Sequence, residues 1–278
     1  MIDKIKRLTL RALVSDEILM QGLVLKGGNA LSIAYNIKDR GSVDIDFSIE
    51  NDFTENEKSR IENQLDYLLN TEFSKEDLLV FDIKFKEKPK QQKVKEWKGY
   101  VILFKIISKK LFVAGEDDRN RMKAISIKPD QSKSFNVDIS SYEYVDSSRM
   151  ADVDGAILRV YTPEMIVIEK LRALCQSIPE YQTIVSTARS KGRSRDFYDI
   201  WNICQNFKLD FTTDEHKQLL VDIFAAKRVP VDFLNLLPKY KDLQSQDWVN
   251  VIDTVEGDLK DFEFYYDFST SIVQQLLY

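Results

Sequence analysis

Within LVLKGGNALSIAYNIKDRGSVDIDFSI (residues 23–49), two carboxylates stand two positions apart in an otherwise apolar run, Val43-Asp44-Ile45-Asp46-Phe47. Alternation of this kind reads as a half-buried β-strand, whose side chains point to opposite faces in turn. Val43, Ile45 and Phe47 then enter a core, and Asp44 and Asp46 share the opposite face. Adjacent like charges repel, so a cation between them is favoured. Oxygen donors on a rigid strand suit Mg²⁺, which in such sites also takes phosphate oxygens from a substrate. The fold therefore has to place this strand in a sheet with one face packed and the other open to a ligand.

The residues upstream fit that demand. Leu23–Gly27 reads as a short buried strand running into Gly27-Gly28, and residues 30–37 carry apolar residues at helical spacing. Two glycines let the backbone approach a ligand closely, and N–H groups at the start of the following helix can hold a phosphate. Asp138, between Val137 and Ile139 in FNVDIS (135–140), offers a third carboxylate that can be placed beside Asp44 and Asp46 to complete a two-metal site. Asp82 in VFDIKF competes for the same role.

The chain has two textures. Up to about residue 161, strand-like and helix-like segments alternate. Further strands are expected at 78–86, 100–107, 122–127, 135–140 and 157–161, with a turn at KPDQSK (128–133). Thr54 with Glu57 predicts a capped helix over 54–70, and the first twenty residues read as a helix packed on one of the halves. After Thr162-Pro163, an N-cap followed by Pro at the first helical position, the pattern is helical throughout, at 163–176, 195–207, 213–226 and much of 245–277. The division expected is an α/β domain over 1–161 and a helical domain over 162–278, an α+β chain.

Composition narrows the chemistry. Forty basic and 45 acidic residues give a net charge of -5, so any nucleic-acid contact has to come from a local patch or run through metal ions. The one strongly basic run is KEKPKQQKVKEWK (86–98). A single histidine, His216, argues against His-rich zinc sites and a Ser-His-Asp triad, and Cys175 and Cys204 read as reduced core thiols. No apolar run approaches the roughly 20 residues of a membrane span, and the N-terminus lacks the apolar block of a signal peptide, so a cytoplasmic protein is expected.

Taken in order, these segments resemble a known family. A strand, GG, a helix and then R-x-S-x-D-x-D-F is the front end of the polymerase-beta-like nucleotidyltransferases. The form here, KGGNAL followed by R-G-S-V-D-I-D-F, is similar to the AbiEii/AbiGii toxins, which include nucleotidyltransferase toxins of bacterial type IV toxin–antitoxin and phage-defence systems. P-E-M-I-V-I-E-K-L-R-A-L (163–174) and R-D-F-Y-D-I (195–200) resemble that family's later motifs, so the likeness spans residues 23 to 200. It implies a mixed nucleotidyltransferase sheet with helices, followed by an all-helical C-terminal half. The activity implied is Mg²⁺- or Mn²⁺-dependent transfer of NMP from an NTP to a hydroxyl of RNA, the tRNA 3′ end foremost, with release of pyrophosphate. A cognate antitoxin, encoded adjacently, is the implied partner, and a groove lined in part by residues 84–98 is expected to meet the RNA.

The resemblance also assigns residues. Asp44 and Asp46 would be catalytic metal ligands, with Asp138 as the added ligand read above. Lys26, Gly27 and Gly28 would hold the nucleotide phosphates; Asn29, where the family has Thr or Ser, would cap the helix and reach a phosphate. Arg40 and Ser42 would touch phosphate or brace the loop. Lys170 would contact the triphosphate, Asp196 matches the essential aspartate of the last motif, and Asp199 lies one turn on. Two other readings stay open at this point: a catalytically silent nucleotidyltransferase-like binding module, and transfer to a protein or small-molecule acceptor.

Overall fold

A computed structural model describes residues 1–37, 43–89, 94–127, 131–253, 255 and 258–278. The chain divides into two compact units, Met1–Ile37 with Gly41–Val160, and Tyr161–Tyr278 with a short segment outside the described residues. In the first unit α1 (Ile2–Val14) and α2 (Glu17–Gly22) precede β1 (Val24–Leu25). A helical turn, α3 (Gly27–Asn29), passes into a π-helical turn at Ala30–Ala34, and β2 (Ile45–Ser48) follows. Then come α4 (Glu55–Phe73), β3 (Leu78–Lys88), β4 (Gly99–Ser108), α5 (Asp117–Lys123), β5 (Ser134–Ser140), β6 (Arg149–Val153) and β7 (Ala156–Val160).

The strands form one mixed sheet in the order β3-β4-β5-β2-β1-β7-β6. β1 is antiparallel to β2 and parallel to β7, and β2 is parallel to β5. Ile45 and Phe47 of β2, Phe135, Val137 and Ile139 of β5, and Tyr100, Ile102, Phe104 and Ile106 of β4 are all buried. Phe73 at the end of α4 meets Phe104 edge-on at 5.9 Å, and Phe104 meets Phe135 at 5.3 Å. Burying each such ring contributes about 2–3 kcal/mol, which is what holds the apolar face of the sheet closed. Asp46 and Asp138 alternate with these residues and lie on the other face.

Local signals account for several element ends. Thr54 accepts from the Glu57 amide while the Glu57 carboxylate accepts from Thr54, so α4 starts on a full capping box. One expected strand does not form. Residues 122–127 do not form a strand: Asp117–Lys123 is helical. Asp117 and Asp118 sit at its positive end and Arg121 and Lys123 at its negative end, and the buried Asn120 side chain bonds both backbone groups of Val113. These local terms outweigh the apolar alternation of a short run. The predicted turn at 128–133 falls largely outside the described residues.

In the second unit α6 (Pro163–Gln176) is capped by Thr162, with Pro163 at its first position. α7 (Ser194–Phe207), α8 (Asp214–Ala226), a 3₁₀ stretch at Val231–Tyr240, α9 (Lys241–Ser245), α10 (Trp248–Ile252) and α11 (Phe262–Leu277) complete it. Phe197, Tyr198 and Trp201 of α7 pack against Phe262, Tyr265, Tyr266 and Phe264 of α11; Phe197 and Tyr198 are core, while Trp201 is half-buried. Cys175 and Cys204 are both buried and free. Burial pushes the Cys175 thiol well up and that of Cys204 up to about 12, Glu164 adding to the latter, which leaves both unreactive.

Asn70 of α4 both donates to the Val80 carbonyl, at 3.0 Å, and accepts from the Val80 amide, at 2.8 Å, beside a bulge in β3. Asn70→Ala removes both bonds between helix and strand. We expect a loss of about 1–3 kcal/mol in unfolding free energy, read from the urea midpoint.

Candidate active site

The first unit's cluster forms where β1 ends. Leu25 pairs with Phe47, and the next amide, Lys26, donates to the Asp46 carbonyl at 3.0 Å. The chain then turns sharply at Gly27, whose φ of +63° lies in the left-handed region that glycine tolerates without cost. A Cβ at Gly27 would sit 3.6 Å from the Asp46 carboxylate, so the backbone passes directly over that group. Asp46 is opposite Asp138 in the parallel β2–β5 register, which puts the two carboxylates side by side on one face.

The helix expected at 30–37 is shorter and of another kind, a three-residue turn followed by a π-helical one that ends before Tyr35. Asn29 is fully buried and its amide donates to the Asp44 carbonyl. The side chain thus ties the diglycine turn to the aspartate strand; it neither caps a helix nor reaches outward. Lys26 is likewise turned inward, 3.4 Å from the buried carboxylate of Glu143. It braces the turn from behind.

Asp44, Asp46 and Asp138 are each half-buried. Among the described residues no group of three or more His, Cys, Asp or Glu side chains is gathered to hold a metal ion. The three aspartates therefore do not close into a three-carboxylate cage: the Lys88 ammonium reaches Asp138 at 2.9 Å and neutralises it. Asp44 and Asp46 fit a divalent ion by donor type, since Mg²⁺ takes one or two protein carboxylates and fills its shell with water and phosphate oxygens. The competitor, Asp82, is excluded. It lies in the β3 bulge, two strands removed from β2, and accepts from Arg121 at 2.7 and 2.9 Å and from Lys105 at 2.6 Å. Arg121 first and Lys105 next hold its carboxyl well below the usual range, against the opposing effect of burial. Arg40 and Ser42 lie outside the described residues.

One charged neighbour of this cluster has no sequence signal. Lys6 of α1 is almost completely buried, with Asp3 at 4.0 Å. Burial pulls its pKa down, while the fields of Asp3 and then Asp44 pull it up. The basic run is also less free than its composition suggests. Besides Lys88, Lys98 is paired with Asp52 at 2.6 Å and Glu87 at 3.2 Å, and Lys95 lies 4.7 Å from the centre of the Tyr142 ring. Lys84 and Lys86 are exposed, and residues 90–93 lie outside the described residues.

The second unit gathers the later motif residues. Lys170 of α6 donates to Asp196 at 3.1 Å and to Asp199 at 2.6 Å, both on α7. Arg193, just before α7, donates from Nε to the other Asp196 oxygen. Arg195, at helical spacing from Asp199, is exposed, and Asp199 pairs with Lys170. Burial disfavours the charge on Lys170, but Asp199 and Asp196 outweigh it and raise the pKa above the ordinary value. Burial likewise opposes charge on Asp196, and Arg193 and Lys170 more than offset it, bringing the carboxyl down to about 2. Lys170 and Arg193 are thus held protonated and Asp196 ionised.

A second layer fixes the α7 start. The Arg193 amide donates to Gln244 Oε1 at 3.1 Å, the Ser194 amide to Asp247 Oδ1 at 2.8 Å, and Gln244 Nε2 to Ser177 Oγ at 2.9 Å. Gly192 is required here, because a Cβ would come within 2.8 Å of the Leu243 carbonyl and 2.9 Å of Asp247. The G-R-S-R-D order that precedes α7 was the available clue to Arg193, three residues before Asp196 and one helical turn away. Gln244 and Asp247 carry no signal, being 50 residues downstream.

Comparison with known proteins now bears on this arrangement. Residues 9–269 match the family described as Nucleotidyl transferase AbiEii toxin, Type IV TA system. The chain belongs to that family. Among solved structures, JHP933 from Helicobacter pylori superposes with a TM-score of 0.52 at 16% identity, over 99% of this chain and 89% of that one. A second Helicobacter pylori chain, provisionally described as a nucleotidyltransferase, gives 0.48 at 18% identity over 99% and 92%. A search of curated proteins finds no match to the sequence. The AbiEii member is thus an α+β nucleotidyltransferase-family toxin, and a toxin of a type IV system has an antitoxin partner. Among the described residues no helix is long and apolar enough to cross a membrane.

The ion cluster of the second unit makes its own prediction. Lys170→Met leaves two buried carboxylates short of a cation and should cost about 3–5 kcal/mol at pH 7. The depressed Asp196 carboxyl stabilises fully above its ordinary pKa of about 4, and that contribution is lost as pH falls through about 2. Denaturant unfolding should therefore show wild type weakening from about pH 4 downward. The gap to Lys170→Met should narrow at pH 3, where protonation relieves the variant.

Proposed function

We propose that this toxin transfers the nucleoside monophosphate of an NTP to a hydroxyl of RNA, the 3′ end of tRNA, with release of pyrophosphate. The observation that carries the reading is the crossing of the left-handed Gly27 turn over the Asp46 carboxylate, with Asp44 two residues before it. A turn without side chains lets a triphosphate lie against backbone amides within reach of two carboxylates. Asp44 and Asp46 would hold Mg²⁺ or Mn²⁺, which when bound draws charge from the triphosphate. Gly27 and Gly28 leave room for the phosphates, and Asn29, Lys26 and Glu143 keep the turn and the aspartate strand in fixed relation. The acceptor hydroxyl attacks the α-phosphorus in line, so the protein's part is positioning and charge neutralisation.

Lys170 supports the reading in one specific way. Its raised pKa keeps it protonated through the physiological range, so it serves as a fixed positive charge and not as a general base. Two of its three N–H donors go to Asp196 and Asp199, which fix it in place. Tests of tRNA as the acceptor should include Lys84 and Lys86, which are exposed. A cytoplasmic site of action and a role in phage defence follow from the same reading.

The assay incubates folded protein with each labelled NTP, Mg²⁺ and total tRNA. Label should appear on tRNA with at least one nucleotide. Asp44→Ala and Asp46→Ala should each lower the rate about a hundredfold to a thousandfold, as loss of one preorganised charge-stabilising group does elsewhere. Both should also abolish growth inhibition when expressed without the antitoxin. Absence of transfer with all four nucleotides, or toxicity that survives Asp44→Ala, would overturn the assignment.

A further inference from the structure

The second unit contains a cavity of about 170 Å³ between α6, α7, the 3₁₀ stretch and α11. Leu171, Leu174, Phe197, Leu234 and Val273 are among the apolar walls, and Ser269 opens into it. Its size matches cavities that accept a single benzene-sized molecule, about 150 Å³ in a dry apolar example.

Two observations set Ser269 apart. The buried seam of α11 runs Phe262, Tyr265, Tyr266, Ser269, Ile272, Val273, Leu276; of these Tyr266, Ser269 and Val273 line the cavity, and Ser269 is the small one. Helical Ser and Thr residues ordinarily satisfy the hydroxyl on a carbonyl of the preceding turn. Thr270 does so on Tyr266 and Ser271 on Phe268. Ser269 is 1% exposed, and among the described residues its Oγ has no hydrogen-bond partner. A buried hydroxyl left in this state costs free energy unless something enters to meet it.

We propose that this cavity binds a small, mainly apolar molecule, aromatic or branched aliphatic, that carries one hydroxyl or comparable hydrogen-bonding group directed at Ser269 Oγ. The inference does not rest on the transfer reaction. The walls are sequence neighbours of the ion cluster, Leu171 following Lys170 and Phe197 following Asp196, so the ligand packs against the same two helices that carry those charges.

Phenol and benzene are suitable probes, titrated calorimetrically into the full chain and followed by thermal unfolding. Wild type should bind phenol saturably and about fivefold more tightly than benzene, the equivalent of one net hydrogen bond. Ser269→Ala should keep benzene binding and lose the preference for phenol. Ser269→Leu fills the space and should abolish both. Because Ser269→Ala alters no packing volume of consequence, it decides the matter even if Ser269→Leu fails to fold. Absence of saturable phenol binding to wild type, or an undiminished phenol preference in Ser269→Ala, would overturn the proposal.

Discussion

The hydrogen bond from the Lys26 amide to the Asp46 carbonyl fixes the first unit's cluster. It is the last rung of the β1–β2 pair, and β1 is only two residues long. Beyond it the chain has to leave the sheet, and it does so at Gly27 with a left-handed turn over the Asp46 side chain. Lys26 and Asn29 then turn inward, onto Glu143 and the Asp44 carbonyl, and hold that turn against the strand. A carboxylate pair on a flexible loop would lose much of its capacity to organise a triphosphate; here backbone pairing on one side and buried side chains on the other remove that freedom.

Charged side chains cluster in both units. In the second unit every charge of the cluster has a partner of opposite sign at hydrogen-bond distance, and the pKa directions follow: lysine and arginine up, Asp196 down. In the first unit Asp138 is answered by Lys88, Asp46 lies beside Asp138 in the β2–β5 register, and Asp44 stands one residue before β2. Such pairings show why a net charge of -5 says little about partners. Two lysines of the basic run, Lys88 and Lys98, neutralise acids of their own unit.

Much of the site was legible because its signals are local. Alternation placed Asp46 on a strand, though that strand begins at Ile45 and leaves Asp44 just before it; the GG pair marked the turn, and Thr54 and Thr162 announced helix starts that the structure contains. Short-range patterns failed where a few residues carried two signals at once. Residues 122–127 alternate like a strand, yet charges at helix ends and the buried Asn120 side chain make 117–123 a helix. The helix after GG was expected to be regular and is instead a brief turn running into a π-helical one.

The sequence by itself determined the two textures, the strand that carries the aspartates, the glycine turn and the family, since each depends on residues within a few positions of one another. Only the tertiary structure decided which carboxylate is answered by which cation. Lys88 with Asp138, Lys26 with Glu143, Lys6 near Asp44, and the Gln244 and Asp247 brace behind Arg193 all join residues far apart in the chain. Such pairings depend on sheet order and helix packing, and no periodicity within a segment encodes them.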